Sequence, residues 1–215
     1  MPDARELVLG RIRRSLADAG VRTTDAAADY ASLARDYIRR GGLDPEARLQ
    51  LFLERLRDYD THVVETPANS LPETIAAVLR GHAEKKVIAA EGLPGQILPQ
   101  DYRFLPERDA EVQDLNDCDG IVTTCTVAIA FTGTIVLTHG PGEGARRLTL
   151  LPDRHLCVVR AEQVVETVPE AMDRLAPYAR HPLTFISGPS ATADIEMTRI
   201  RGVHGPRFLD VVLVR

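Results

Sequence analysis

Four short stretches hold side chains and glycines whose types and spacing can do chemistry. The first is Ser187-Gly188-Pro189-Ser190-Ala191-Thr192-Ala193-Asp194-Ile195-Glu196, which follows a β-rich run and leads into helix-compatible sequence. Small hydroxyl residues and a glycine at the end of a strand leave backbone N–H groups open, and a helix starting there adds its dipole. Both favour a phosphate or a carboxylate. Ser190 or Thr192 serving only as a helix cap is the plainer reading, and on this segment alone both stand open. The second stretch is Gly202-Val203-His204-Gly205-Pro206-Arg207. A His between glycines can approach a ligand closely and titrates near neutral pH. As a lone turn residue it is simply a local hydrogen-bonding group. With Asp194 and Glu196 a few residues upstream, His204 completes a candidate catalytic carboxylate–imidazole set.

Thr132-Gly133-Thr134 puts two hydroxyls around a glycine at the edge of an apolar run. It reads as a bulge or bend in a strand unless the glycine lies beside a ligand. Arg146-Arg147, ahead of Leu148-Thr149-Leu150-Leu151-Pro152-Asp153-Arg154-His155, follows the Gly-rich turn His139-Gly140-Pro141-Gly142-Glu143-Gly144. An Arg pair is usually a solvated face, and the turn before it adds the reading that it supplies cations for an anionic ligand. His139 either joins that site or decorates the turn. The candidate ligand-binding residues are therefore Thr132, Gly133, Thr134, Arg147, His155, Ser187, Gly188, Ser190, Thr192 and Gly205.

Several chemistries are excluded. Lys85 and Lys86 are the only lysines and follow no glycine run, so there is no P-loop. Schiff-base chemistry would fall on that pair, which suits the solvated start of a strand better. HExxH, clustered His and EF-hand loops are all missing, so no metal is expected. Cys118, Cys125 and Cys157 form no C-x-x-C pair, which argues against a disulfide framework, a zinc ribbon or an iron–sulfur motif in this chain. Cys125 and Cys157, in apolar stretches, fit buried, inert thiols, and the odd cysteine count fits a reducing, cytoplasmic compartment.

The 215 residues carry 26 Lys+Arg against 31 Asp+Glu, a formal charge of −5. No general reason for nucleic-acid binding follows from that balance. Neither a secretory signal nor a run of the ~18 apolar residues needed to cross a membrane is visible. The imbalance is local: residues 61–118 hold 5 basic and 10 acidic side chains, and both flanks are neutral.

Two kinds of sequence must position the candidate residues. Residues 1–60 read as helical. Val8, Ile12 and Leu16 stripe a helix over residues 3–19 that ends near Gly20. A polar, Ala-rich connection follows, then a helical stretch from Leu33 to Arg40 stopped by Gly41-Gly42. Asp44 and Pro45 start another helix with Leu49, Phe52, Leu53 and Leu56 on one face. From His62 the pattern becomes a βαβ unit. Its strands are His62-Val63-Val64 and Val87-Ile88-Ala89-Ala90, around a helix with a Ser70/Glu73 capping box. Residues 91–118 form a loop-rich connection with a short helix. Further strands are expected around Ile121-Val122, Ile135-Val136-Leu137, residues 156–159, a short buried run at 183–186, and residues 208–214. Thr167 starts a helix reaching about Tyr178. The expected fold is α/β, with a mostly parallel sheet flanked by helices over residues 61–215 and an N-terminal helical extension over 1–60.

Taken in order, Thr132-Gly133-Thr134, the stretch to His155, the 187–196 segment, Gly202 to Arg207 and Val211-Val212-Leu213-Val214 resemble the lactate utilisation protein C (LutC/YkgG) family, with its LUD domain. These motifs cover roughly residues 119–215, and the βαβ part extends the match back to about residue 60. The resemblance implies a fold of the NagB/RpiA/CoA-transferase group. It also implies a role in oxidising L-lactate to pyruvate beside iron–sulfur partner proteins, with a small anionic ligand bound by this chain. One departure stands out: relatives usually have an acidic residue before Thr-Gly-Thr, where this chain has Ala130-Phe131. A glutamyl-thioester mechanism would then need Glu143 or Glu196, and neither matches the position. The alternative is a free-standing CoA- or sugar-phosphate-dependent transferase or isomerase of the same fold. A third reading makes the N-terminal helices a docking surface whose removal, residues 1–60, leaves the rest folded.

Overall fold

The structure, a computed structural model, describes residues 3–18, 25–192, 200–201 and 205–215. Contacts divide the chain into two units, Met1–Tyr37 and Ile38–Arg215. The first holds helices α1 (Ala4–Asp18) and α2 (Ala26–Ser32). No residue of α1 is buried, and its Val8, Ile12 and Leu16 stripe is exposed. α2 occupies the stretch expected to be a connection, because Asp25 caps it by accepting the Ala27 N–H at 3.0 Å. The helix expected from Leu33 to Arg40 does not form. Leu33 leaves α2 in an extended conformation, and the chain stays irregular to Asp44. Its backbone donors find other acceptors: the Gly41 and Leu43 N–H groups go to the Glu170 and Glu166 carboxylates.

The second unit begins with α3 (Pro45–Asp58), started by Asp44 and Pro45 as expected, with Leu49, Phe52, Leu53 and Leu56 all buried. It continues through β1 (His62–Thr66), α4 (Leu71–Gly81), β2 (Val87–Ala89), β3 (Phe104–Pro106), α5 (Val112–Asp117), β4 (Gly120–Thr124), β5 (Val127–Ile129) and β6 (Thr134–Leu137). Then come β7 (Arg154–Arg160), β8 (Val164–Val165), α6 (Val168–Leu175), β9 (Thr184–Ile186), β10 (Ala191–Thr192), β11 (Ile200–Arg201) and β12 (Phe208–Val214). The main sheet has the order β1-β12-β7-β4-β2-β3, and every neighbouring pair is parallel. This is the expected α/β fold.

Side-chain alternation sorts the core into two faces. Leu209, Val211 and Leu213 of β12, with Cys157 and Val159 of β7, pack against α3 and residues of β5 and β6. Val212 and Val214, with Leu156 and Val158, pack against Leu71, Ile75, Val78 and Leu79 of α4. Strands buried on both faces read as continuous apolar runs, which is why β7 and β12 were legible.

Four local expectations change. A second sheet, β8-β5-β6-β9, contains an antiparallel β5–β6 hairpin that the apolar pattern did not separate from the main sheet. Ser70 forms no capping box. It already ends a 3₁₀ turn, Ala68–Ser70, and its carbonyl accepts the Thr74 hydroxyl at 2.8 Å. β9 is not a buried strand but a sheet edge, with Phe185 44% exposed. After Ser190 the chain enters β10, which pairs with β11, so no helix begins at Ser190–Thr192. No helix among the described residues is long and apolar enough to cross a membrane.

Candidate ligand-binding cleft

Antiparallel pairing of β6 with β9, in the register Ile135↔Ile186, brings Thr134 beside Ser187. Their hydroxyl oxygens are 2.8 Å apart, and Thr132 Oγ1 lies 2.7 Å from Thr134 Oγ1. Three hydroxyls from two distant motifs thus form one hydrogen-bonded row. Gly133 makes the turn that places them. It has φ +59°, and a Cβ there would sit 2.8 Å from Arg55 Cβ on α3. Gly188 plays a similar part beyond β9, with φ +78° and a virtual Cβ 2.4 Å from Tyr59 Cβ. Both glycines are therefore explained by backbone conformation and by close packing on α3.

A cleft of about 230 Å³ opens between the loop after β9 and the first residues of β7 and β12. Ser187, Gly188, Ser190 and Gly205 line it, together with Arg146, Thr149 and His155. The Ser190 N–H donates to the Pro206 carbonyl at 2.8 Å and ties the two sides of the mouth. Arg146 Nη1 donates to Thr149 Oγ1 at 3.1 Å. Among the described lining residues Arg146 is the only one with a permanent charge. Its neighbour Arg147 is exposed and does not line the cleft.

His155 forms part of the floor, 1% exposed on β7. Its Nε2 lies 2.7 Å from the Thr123 hydroxyl, and its buried Nδ1 has no hydrogen-bond partner. Burial lowers its pKa to about 4, against an opposing pull from the Asp210 charge. The ring is neutral at pH 7 and keeps one buried nitrogen without a hydrogen-bond partner. A single cation, several hydroxyls and a neutral imidazole can hold and orient a small monoanion.

Of the sequence candidates, His155, Ser187, Gly188, Ser190 and Gly205 meet at the cleft, and Thr132 and Thr134 stand behind Ser187 through the hydroxyl row. Thr192 lies in β10. Asp194, Glu196 and His204 lie outside the described residues. His139 is bound at both ends: Nδ1 is 2.8 Å from the Gly144 carbonyl and Nε2 2.7 Å from Thr184 Oγ1. Glu143 is buried, and its carboxylate accepts the Thr138 N–H and the Thr126 hydroxyl, both at 2.5 Å. It is spent on the Gly-rich turn rather than free as a nucleophile. Phe131 sits 65% exposed on the β5–β6 turn. Thr149 and Phe185 were missed as lining residues: Phe185 reaches the mouth through the pairing of β9, and Thr149 through the turn it shares with Arg146.

A family model described as LUD domain matches residues 12–214. The chain belongs to the LUD domain family. Among relatives of this LUD chain, a lactate utilization protein C from Deinococcus radiodurans is 43% identical over 169 residues, covering 77% of this chain and 79% of that protein. Another, from an Exiguobacterium species, is 28% identical over 222 aligned positions, covering 98% and 95%. The crystal structure of a DUF162 family protein from Deinococcus radiodurans superposes with a TM-score of 0.71 at 37% identity, over 81% of this chain and all of that one. The β-strands and loops that build the cleft all lie within the matched LUD span.

Proposed function

We propose that this chain is a LutC-like component of an L-lactate utilisation system, acting in the cytoplasm where L-lactate is oxidised to pyruvate. In this reading it binds a small anionic ligand in the cleft and works beside iron–sulfur partner proteins. The observation that carries the reading is the cleft's composition, one guanidinium among hydroxyls and glycines above a neutral imidazole. The name shared by the relatives selects lactate chemistry among the uses of such a cleft.

A 2-hydroxy acid offers one carboxylate and one hydroxyl. The carboxylate suits the Arg146 guanidinium through charge-assisted hydrogen bonds. The hydroxyl suits Ser187, whose own oxygen is oriented by Thr134. Oxidation to the keto acid releases two electrons and two protons. All three cysteines of this chain are buried and free, so the reading assigns the electrons to the partner proteins.

The test is deletion of the gene for this chain together with affinity purification of the tagged protein from lactate-grown cells. Expected are loss of lactate-dependent electron transfer in extracts and recovery of iron–sulfur proteins with the tag. Unchanged lactate oxidation in the deletion strain would overturn the proposal.

A further inference from the structure

A second polar cluster lies on the opposite face of the parallel sheet from His155. Asp210 alternates with Leu209 and Val211, so its side chain shares the α4 side of β12 with Val212 and Val214. Asp210 is 1% exposed. Its Oδ1 accepts from His62 Nδ1 at 2.8 Å and from His82 Nε2 at 3.1 Å. Three separate elements supply these groups. His62 opens β1 in register with Asp210, and His82 is the first residue beyond α4.

The carboxylate is held from behind. Arg154 Nη1 donates to Asp210 Oδ2 at 2.9 Å, which leaves Oδ1 directed at the two imidazoles. Arg154 Nε lies 3.0 Å from the Glu84 carboxyl, and its guanidinium sits over the Phe208 ring at 4.4 Å. A liganding carboxylate whose second oxygen is bound by an outer residue is the usual build of a metal site.

The three ligand atoms lie within 4.8 Å of one another. A tetrahedral cation bound at about 2.0–2.1 Å needs donor atoms about 3.3 Å apart. The two contacts to Oδ1, at 2.8 and 3.1 Å, are close to that spacing, so a cation would replace the two shared hydrogens as the imidazoles, which lie at exposed edges, draw together around it. Two imidazole nitrogens and one carboxylate oxygen favour zinc-like ions over magnesium or calcium, which prefer all-oxygen sites. His62 and His82 also border a groove of about 570 Å³ between β1 and α4, lined by Val64, Ala77 and Val78. Three protein ligands beside an open groove match sites that keep a position for water or another ligand.

We propose that His62, His82 and Asp210 form a binding site for a first-row divalent cation of the zinc type, with its remaining position open to the groove beside α4. The site is independent of the cleft and of the lactate reading.

The test uses the full chain, stripped with chelator and titrated with Co²⁺ and then Zn²⁺. Expected are one equivalent of bound Co²⁺ with the visible bands of a four- or five-coordinate ion, displacement by Zn²⁺, and no competition from Mg²⁺. The His62→Ala and His82→Ala variants should each bind at least about tenfold more weakly, the lower end of what losing even an outer-shell partner costs. Both histidines lie at exposed edges, and circular dichroism checks that the variants fold. No saturable binding by the wild-type chain up to about 1 mM would overturn the proposal. So would binding retained in the double variant.

Discussion

Arg146 and Arg147 are adjacent in sequence, yet only Arg146 lines the cleft. With L-lactate as ligand, Arg146→Ala is expected to weaken binding about tenfold or more, the cost of a hydrogen bond to a charged group. Arg147→Ala should leave it within about twofold, and calorimetric titration separates the two. The Arg pair was visible as a cation source, but which member faces inward depends on how the turn before β7 lies. His155 carries a second expectation at this scale. Its folded pKa of about 4 is below the ordinary value of 6.5, so between those pH values the unfolded chain binds a proton that the native chain does not. This contribution is complete above about pH 6.5 and is lost as pH falls towards 4, amounting to about 3 kcal/mol. Urea titrations across that window should show the acid-side loss in the wild type and a flatter profile in His155→Gln. Cys125 and Cys157 were legible as buried thiols. All three are buried, and burial pushes Cys118 up to about 11.

At the scale of elements, α3 and α4 were readable because their apolar residues repeat with the helical period, and Asp44-Pro45 marks a start. The conformation after Arg40 was not readable, since the Gly41 and Leu43 N–H groups are taken by Glu170 and Glu166 more than a hundred residues away. The same holds for the hairpin of the second sheet, whose partners are set by register rather than by local pattern. Its turn gives a direct test. Gly133→Ala and Gly188→Ala would each place a Cβ against α3 or the residue that ends it, in a left-handed conformation. Each variant is expected to lose about 1–3 kcal/mol or more of stability, read as a lower urea midpoint. An equal stability for either variant would mean that the α3 packing around these turns is wrong.

For the whole molecule, the contact units place α3 with the α/β body rather than with residues 1–37. All four apolar clusters fall within residues 49–214. A fragment of residues 38–215 is expected to unfold cooperatively, with a Tm within about 4 °C of the full chain. A fragment starting at residue 61 should not fold. It loses Leu49, Phe52, Leu53 and Leu56, each worth about 1.5–3 kcal/mol, against a total stability of about 5–15 kcal/mol. Thermal melts of the two fragments check this against the alternative that residues 1–60 can be removed without unfolding the rest.

The sequence by itself determined the α/β class, the helices with a clean apolar stripe, the buried parallel strands and the family, because these rest on local periodicity and on motifs in order. Only the tertiary structure decided which candidates share a site. The 132–134 turn meets Ser187 through the register of β6 and β9, and His62 meets Asp210 through that of β1 and β12. Strand register joins residues 53 and 148 positions apart. No spacing along the chain encodes those distances, because they are fixed by burying one face of each strand rather than the other.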